Sequence, residues 1–208
     1  IISRIQARRN ELPPAEQEEL ARLIRADTGG QMMDKTTAMQ RWVLASATGF
    51  GLGRAPVASG TFGALLGLPL ALALTTLHGH LAWQIGICLL LTLLAVPICD
   101  AAEKIYGTKD DGRIVADEYL TLPIVVIGLP LAGMMREGRV LESLILLGTA
   151  FVLSRICDIL KPTPARQLQR VRGGWGIVLD DWFASVYALI LTHGAADLIE
   201  AKLFPLIN

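Results

Sequence analysis

Residues 81–99 read LAWQIGICLLLTLLAVPIC. The run carries no charged side chain, and at about 1.5 Å per residue it approaches the roughly 30 Å of a bilayer's hydrocarbon core. Such a run reads as a membrane-spanning helix, with Pro97 expected to distort its last turn. Moving outward, residues 119–135, YLTLPIVVIGLPLAGMM, cross again. Pro123 and Pro130 are expected to bend or break that passage, which a membrane tolerates only if the freed backbone groups find partners. Residues 62–77, 140–159 and 182–199 supply three further apolar spans. Residues 40–52, QRWVLASATGFGL, are too short to span and read as a re-entrant or interfacial segment. The fold class is therefore all-α: a polytopic membrane protein with about five transmembrane or re-entrant helices and a polar N-terminal arm.

Composition agrees. Of 208 residues, 52% are hydrophobic and 18% charged, against about a quarter charged in soluble domains. The formal net charge is zero, so nucleic acid is not an expected partner. Cys88, Cys99 and Cys157 sit in or beside apolar runs, without metal or disulfide spacing, and read as packing residues. Residues 1–40 form the polar arm and residues 41–208 the integral membrane domain. Within the arm, Leu20, Leu23 and Ile24 mark a short amphipathic helix after Pro13-Pro14, closed by Gly29-Gly30. The arm lacks the apolar core of a secretory signal.

Between the second and third spans lies DAAEKIYGTKDDGRIVADE, residues 100–118, with Asp100, Glu103, Asp110, Asp111, Asp117 and Glu118. With the arm in the cytoplasm, Arg136, Arg139 and Lys202 are the only outward-facing members of the 19 lysines and arginines. The same topology gathers Asp158, Asp180 and Asp181 with the acidic loop at the cytoplasmic interface. His78 and His80 fall at the opposite end and read as a polar turn. Asp100 and Glu103 share a helix face if the second span continues to Lys104. Asp117 and Glu118 are expected to open the third span, and Asp180 and Asp181 the last, with Asp180 as cap and Asp181 facing the other acids. Arg155, Asp158 and Lys161 recur at three-residue spacing, so Asp158 has either cation as a candidate partner. Gly60, Gly63 and Gly67 permit close helix approach, and Thr61 offers a donor to a phosphate oxygen. Gly173, Gly174 and Gly176 suggest a loop whose N–H groups cradle a phosphate; the nucleotide-binding GxxxxGK pattern is absent. Oxygen ligands select hard cations, chiefly Mg²⁺, and Arg and Lys complement a transferring phosphoryl group. At headgroup depth, the natural substrate is a phosphorylated lipid. No Ser- or Cys-His pattern supports another covalent route, and an aspartyl-phosphate intermediate stays open.

These residues carry a resemblance. RAPVASGTFGALLG (54–67), AAEKIYGTKDDGRIVADEY (101–119), SRICDILKPTPARQL (154–168) and GGWGIVLDDWFAS (173–185) resemble, in order, the motifs of bacterial phosphatidylglycerophosphatase A, over roughly residues 42–191. The resemblance implies a multi-pass protein of the bacterial inner membrane. It implies Mg²⁺-dependent removal of the terminal phosphate of phosphatidylglycerophosphate at the cytoplasmic face. The implied metal ligands are Glu103, Asp110, Asp117, Glu118, Asp158 and Asp181. The catalytic set is Asp117, Glu118, Asp181, Arg155 and Lys161. Thr61, Arg155, Lys161, Gly173 and Gly174 are expected to bind substrate. Ser59 stands where the family usually has proline.

Two other readings compete. A divalent-cation transporter would place its acids near mid-membrane, often in paired repeats; a headgroup transferase would carry a single Asp-rich run with a Gly-Ala-Arg element. Neither pattern is visible here. Glycine-rich helix faces leave room for a homo-oligomer.

Overall fold

The computed structural model describes residues 38–207 apart from 169, 170 and 172; the amphipathic helix expected in the arm lies outside them. By contacts the chain divides into Ile1–Arg41 and Trp42–Asn208.

Helix α1, Ala38–Ala47, is followed by a 3₁₀ segment, Gly49–Arg54. The Thr48 hydroxyl donates to the Leu44 carbonyl at 2.8 Å, and Phe50 and Gly51 take positive φ of 55° and 103°. The chain therefore turns instead of running on as one helix. The first apolar span is Ser59–Leu77, built from α2 (Ser59–Leu65), α3 (Gly67–Leu74) and a closing 3₁₀ turn. Gly63 and Gly67 let it pack closely: a Cβ at Gly63 would meet the Val115 side chain at 2.3 Å, and one at Gly67 the Leu122 side chain at 2.7 Å.

After the His78–His80 turn, α4 runs over Leu81–Tyr106 and carries Pro97 within it. It passes well beyond the apolar run and ends at Gly107, whose φ of 69° permits a bond from its N–H to the Glu103 carbonyl at 2.8 Å. Asp100 and Glu103 therefore both stand on helix.

The third passage departs from a simple span. It consists of α5 (Ala116–Thr121), a 3₁₀ segment (Leu122–Val126), a turn at Gly128 and α6 (Leu131–Arg136). The 3₁₀ segment is wholly buried. Its freed backbone groups are met by side chains from other elements. Gln84 Oε1 accepts from Gly128 N–H at 2.9 Å, while its Nε2 donates to the Leu74 carbonyl at 3.3 Å. Thr75 Oγ1 accepts from Ala132 N–H, and Ser143 Oγ donates to the Leu131 carbonyl. Irregular backbone survives here because protein, not lipid, surrounds it.

Helix α7, Val140–Leu160, ends at Lys161 in the left-handed region, φ 44°. A short α8, Ala165–Leu168, precedes α9, Gly174–Lys202. Among the described residues, four helical stretches are thus long and apolar enough to cross a membrane. The start of α9 corrects the expected boundary near Trp182. Its glycines are not a loop: a Cβ at Gly174 would lie 2.1 Å from the Val96 carbonyl of α4, and one at Gly176 2.0 Å from the Val171 carbonyl. Asp180 and Asp181 therefore sit inside the helix, and neither caps it; the cap position is Gly173, φ 72°.

Candidate active site

Helix alternation brings the starts of α2, α5 and α9 and the ends of α4 and α7 to one end of the bundle. There α5 is pinned by Val115 N–H donating to the Ala47 carbonyl at 2.8 Å. Its first turn presents Asp117 and Glu118. Glu118 Oε2 accepts from Arg155 Nη1 of α7 at 3.3 Å, and the same Nη1 lies 3.3 Å from Asp158 Oδ2. Arg155 is thus the hinge pin between α5 and the end of α7, and its buried Nε has no partner. Lys161, one residue past α7, reaches α9 instead: its Nζ donates to Asp180 Oδ2 at 2.5 Å. Asp158 therefore pairs with Arg155, and Lys161 is taken by Asp180.

Asp117 and Asp181 are both buried, and Asp117 Oδ1 and Asp181 Oδ2 have no hydrogen-bond partner. Asp181 lies within reach of the charges of Asp117, Asp158, Asp180 and Glu118. Burial pushes the Asp117 carboxyl well above its usual range, reinforced by the charges of Glu118, Asp180 and Asp110. Burial likewise raises Glu118, which Arg155 partly offsets, leaving it at about 7. For Lys161 burial would lower the ammonium, but the bond to Asp180 outweighs it and the net direction is up. A buried carboxylate cluster of this kind favours its neutral form unless a cation joins it.

A family model described as phosphatidylglycerophosphatase A matches residues 45–196. The chain belongs to the phosphatidylglycerophosphatase A family. It is 34% identical over 148 residues to phosphatidylglycerophosphatase A of Escherichia coli strain K12, covering 67% of this chain and 75% of that one. The Haemophilus influenzae protein of the same name is 34% identical, with 70% and 83% covered. A Bacteroides thetaiotaomicron protein provisionally named phosphatidylinositol-3-phosphatase is 35% identical, with 69% and 87% covered. No solved structure matches the chain.

The site in this phosphatidylglycerophosphatase A family member joins most of the expected residues, though not as one cage. Among the described residues, no group of three or more His, Cys, Asp or Glu side chains stands ready to hold a metal ion. Asp117, Glu118, Asp158 and Asp181 cluster as described. Asp110 stands in the exposed turn after α4 with φ 51°, and its charge is felt by Asp117 and Glu118. Glu103 is half-buried on the last turns of α4, beside Lys104. The donor chemistry still suits Mg²⁺, which is commonly held by one or two carboxylates with waters and substrate phosphate completing the shell. The orphaned oxygens of Asp117 and Asp181 are the candidates for that pair.

The phosphate-cradling reading of Gly173 and Gly174 meets a different arrangement. Asp100 Oδ1 accepts from Gly174 N–H at 3.4 Å, and Asp100 Oδ2 bonds Lys104 at 2.6 Å. An acid from α4 thus caps α9, and that N–H is directed at a carboxylate. Asp100 is a positioning residue; the sequence placed it in the acidic stretch but did not show its contact with α9, which spans 74 positions. Thr61 is exposed on the first turn of α2. Its neighbour Gly60 lies against Glu118: a Cβ there would sit 2.2 Å from Glu118 Oε1. Ser59 donates to the Gly112 carbonyl at 2.7 Å and ties α2 to the acidic loop. Asp111 and Arg113 form a two-point ion pair at 2.7 Å each, with Arg113 stacked 3.8 Å over the Tyr106 ring, bracing that loop.

Proposed function

We propose that the chain hydrolyses the terminal phosphomonoester of phosphatidylglycerophosphate with Mg²⁺ at the cytoplasmic face of the bacterial inner membrane, giving phosphatidylglycerol and phosphate. The observation that carries this reading is the pair of orphaned, buried carboxylate oxygens on Asp117 and Asp181, set beside Arg155 and Lys161 at one end of membrane-length helices. The lysine and arginine distribution supports the cytoplasmic orientation. A bound Mg²⁺ would offset the carboxylates and stabilise charge on the transferring phosphoryl group.

The chain's own groups divide the remaining work. Arg155 is held by Glu118 and Asp158 and offers its unpartnered Nε to a phosphate oxygen. Lys161, steadied by Asp180, supplies a second cation. Glu118, at about 7, suits proton transfer near neutral pH. In the balanced step, a water oxygen forms the new bond to phosphorus, the bond from phosphorus to the glycerol oxygen breaks, and the water's proton ends on that oxygen. Clustering of the acids at helix ends speaks against a cation transporter, whose sites lie near mid-membrane.

The test is phosphate release by the purified protein in detergent, with Mg²⁺ or with EDTA, from phosphatidylglycerophosphate and, separately, phosphatidylinositol 3-phosphate. Mg²⁺-dependent release that is faster from the first lipid is expected. No release from either lipid by a folded, Mg²⁺-loaded sample overturns the activity; preference for the second reassigns the headgroup.

A further inference from the structure

The seam between α7 and α9 has two ends of opposite character. At its polar end, Lys161 and Asp180 join the two helices. Directly along the seam lies a cavity of about 270 Å³, lined by Cys157, Leu160, Pro162, Tyr187, Ile190 and Leu191. Helical spacing explains the alignment. Cys157 stands four residues before Lys161, and Tyr187 and Leu191 follow Asp180 by seven and eleven on one stripe of α9. The Tyr187 hydroxyl donates to the Thr163 carbonyl at 2.7 Å. Its polar tip is thus fixed at the loop carrying Pro162 while its ring lines the groove. Leu160 and Ile190 are largely exposed along the outer lip, so the groove is open on the lipid side.

We propose that this groove seats an acyl chain of the phospholipid substrate; the inference rests on the phosphatase reading above. The occupant follows from the two ends. A phosphomonoester held by Lys161 places the rest of its molecule next to an apolar channel that starts one residue away, and a diacyl lipid is the molecule that has an anion at one end and hydrocarbon at the other. The chain gains little by leaving bulk lipid for an apolar groove, because both surroundings are hydrocarbon. The groove therefore acts by alignment: a seated chain limits how the headgroup approaches Arg155 and Lys161. The enzyme should accordingly favour diacyl substrates over a water-soluble phosphomonoester such as glycerol 3-phosphate.

The test uses the full chain in phosphatidylcholine nanodiscs containing EDTA. A trace of phosphatidylglycerophosphate or of phosphatidylcholine is added, each with a photoreactive diazirine on one acyl chain, and the labelled residues are mapped by mass spectrometry. The phosphomonoester probe should label Leu160, Tyr187 and Ile190 several-fold more than the phosphatidylcholine probe, while Leu94, exposed on α4, is labelled equally by both. Ile190→Trp or Leu160→Trp, each a lipid-exposed position where a larger side chain is accommodated, should remove the excess. Equal labelling of the groove by both probes overturns the proposal, since it would then be ordinary lipid-facing surface. Phosphate release with Mg²⁺ is scored in the same nanodiscs. Release with equal labelling sinks the groove and spares the activity; headgroup-dependent labelling without release does the reverse.

Discussion

Glu118 shows how little room the site allows. Its carboxylate is wedged between Arg155 and the bare backbone of Gly60. Gly60→Ala must displace it, because 2.2 Å is far inside contact distance. Turnover should fall by roughly 10²-fold, the scale of a displaced electrostatic or proton-transfer group, with circular dichroism unchanged; wild-type turnover would remove Glu118 from the chemistry. Glu118 also sets a pH dependence. Its value in the fold, about 7, lies above the ordinary 4.5, so the fold favours the protonated form. The metal-free protein should therefore be most stable below the ordinary value and lose stability as pH rises through about 7. Asp117 acts in the same direction. Thermal unfolding in EDTA at stepped pH measures this, and Glu118→Gln should flatten the slope.

Among the elements, the broken third passage depends most on its neighbours. Gln84, buried in α4, serves both Gly128 N–H and the Leu74 carbonyl. Gln84→Leu keeps the bulk and strands both backbone groups, so it should cost about 1–3 kcal/mol. The expected result is a lower midpoint of thermal unfolding with KM unchanged, since Gln84 stands on the first turn of α4, at the end remote from the site. An altered KM at unchanged stability would mean that the passage moves with substrate. The α4–α9 contact is closer still. Gly174 lets the backbones meet at Val96, and Asp100 completes the junction by capping α9. One pair of elements thereby positions Asp180 and Asp181 two turns further along.

At the scale of the whole molecule, carboxylates from α5, α7 and α9 converge on one end of the bundle, and their mutual repulsion opposes the convergence. A cation that binds only the assembled site must stabilise the fold by linkage. Mg²⁺ should therefore raise the thermal midpoint of the wild type, and raise it less in Asp117→Asn and Asp181→Asn, as followed by titration in detergent. Equal shifts in all three proteins would show that neither carboxylate touches the ion. Asp180→Asn serves as the contrast: it weakens the Lys161 contact but leaves both orphaned oxygens, so its Mg²⁺ response should stay near wild type.

The amino-acid sequence alone determined that the chain enters a bilayer, where its apolar runs lie, and that its acids collect at one end. Transfer from water to lipid is a property of a segment by itself, and alternation of spans then sorts the charged loops. The motifs also named the residues of the acidic and basic cluster. What it left open involved contacts between distant segments. Pro123 and Pro130 signalled a break, but only the fold shows Gln84, Thr75 and Ser143 repairing it. Gly174 and Gly176 read as loop because glycine disfavours helix, until the Val96 and Val171 carbonyls supply a reason for a missing Cβ. Asp158 had two cations at equal spacing; the left-handed turn at Lys161 sends one of them across to Asp180. Glu103 shares a helix with Asp100, yet the tertiary structure sets Asp100 on the start of α9 and leaves Glu103 beside Lys104. Spacing along one helix orders neighbours on that helix; which of them meets another helix is decided by how closely the backbones pack.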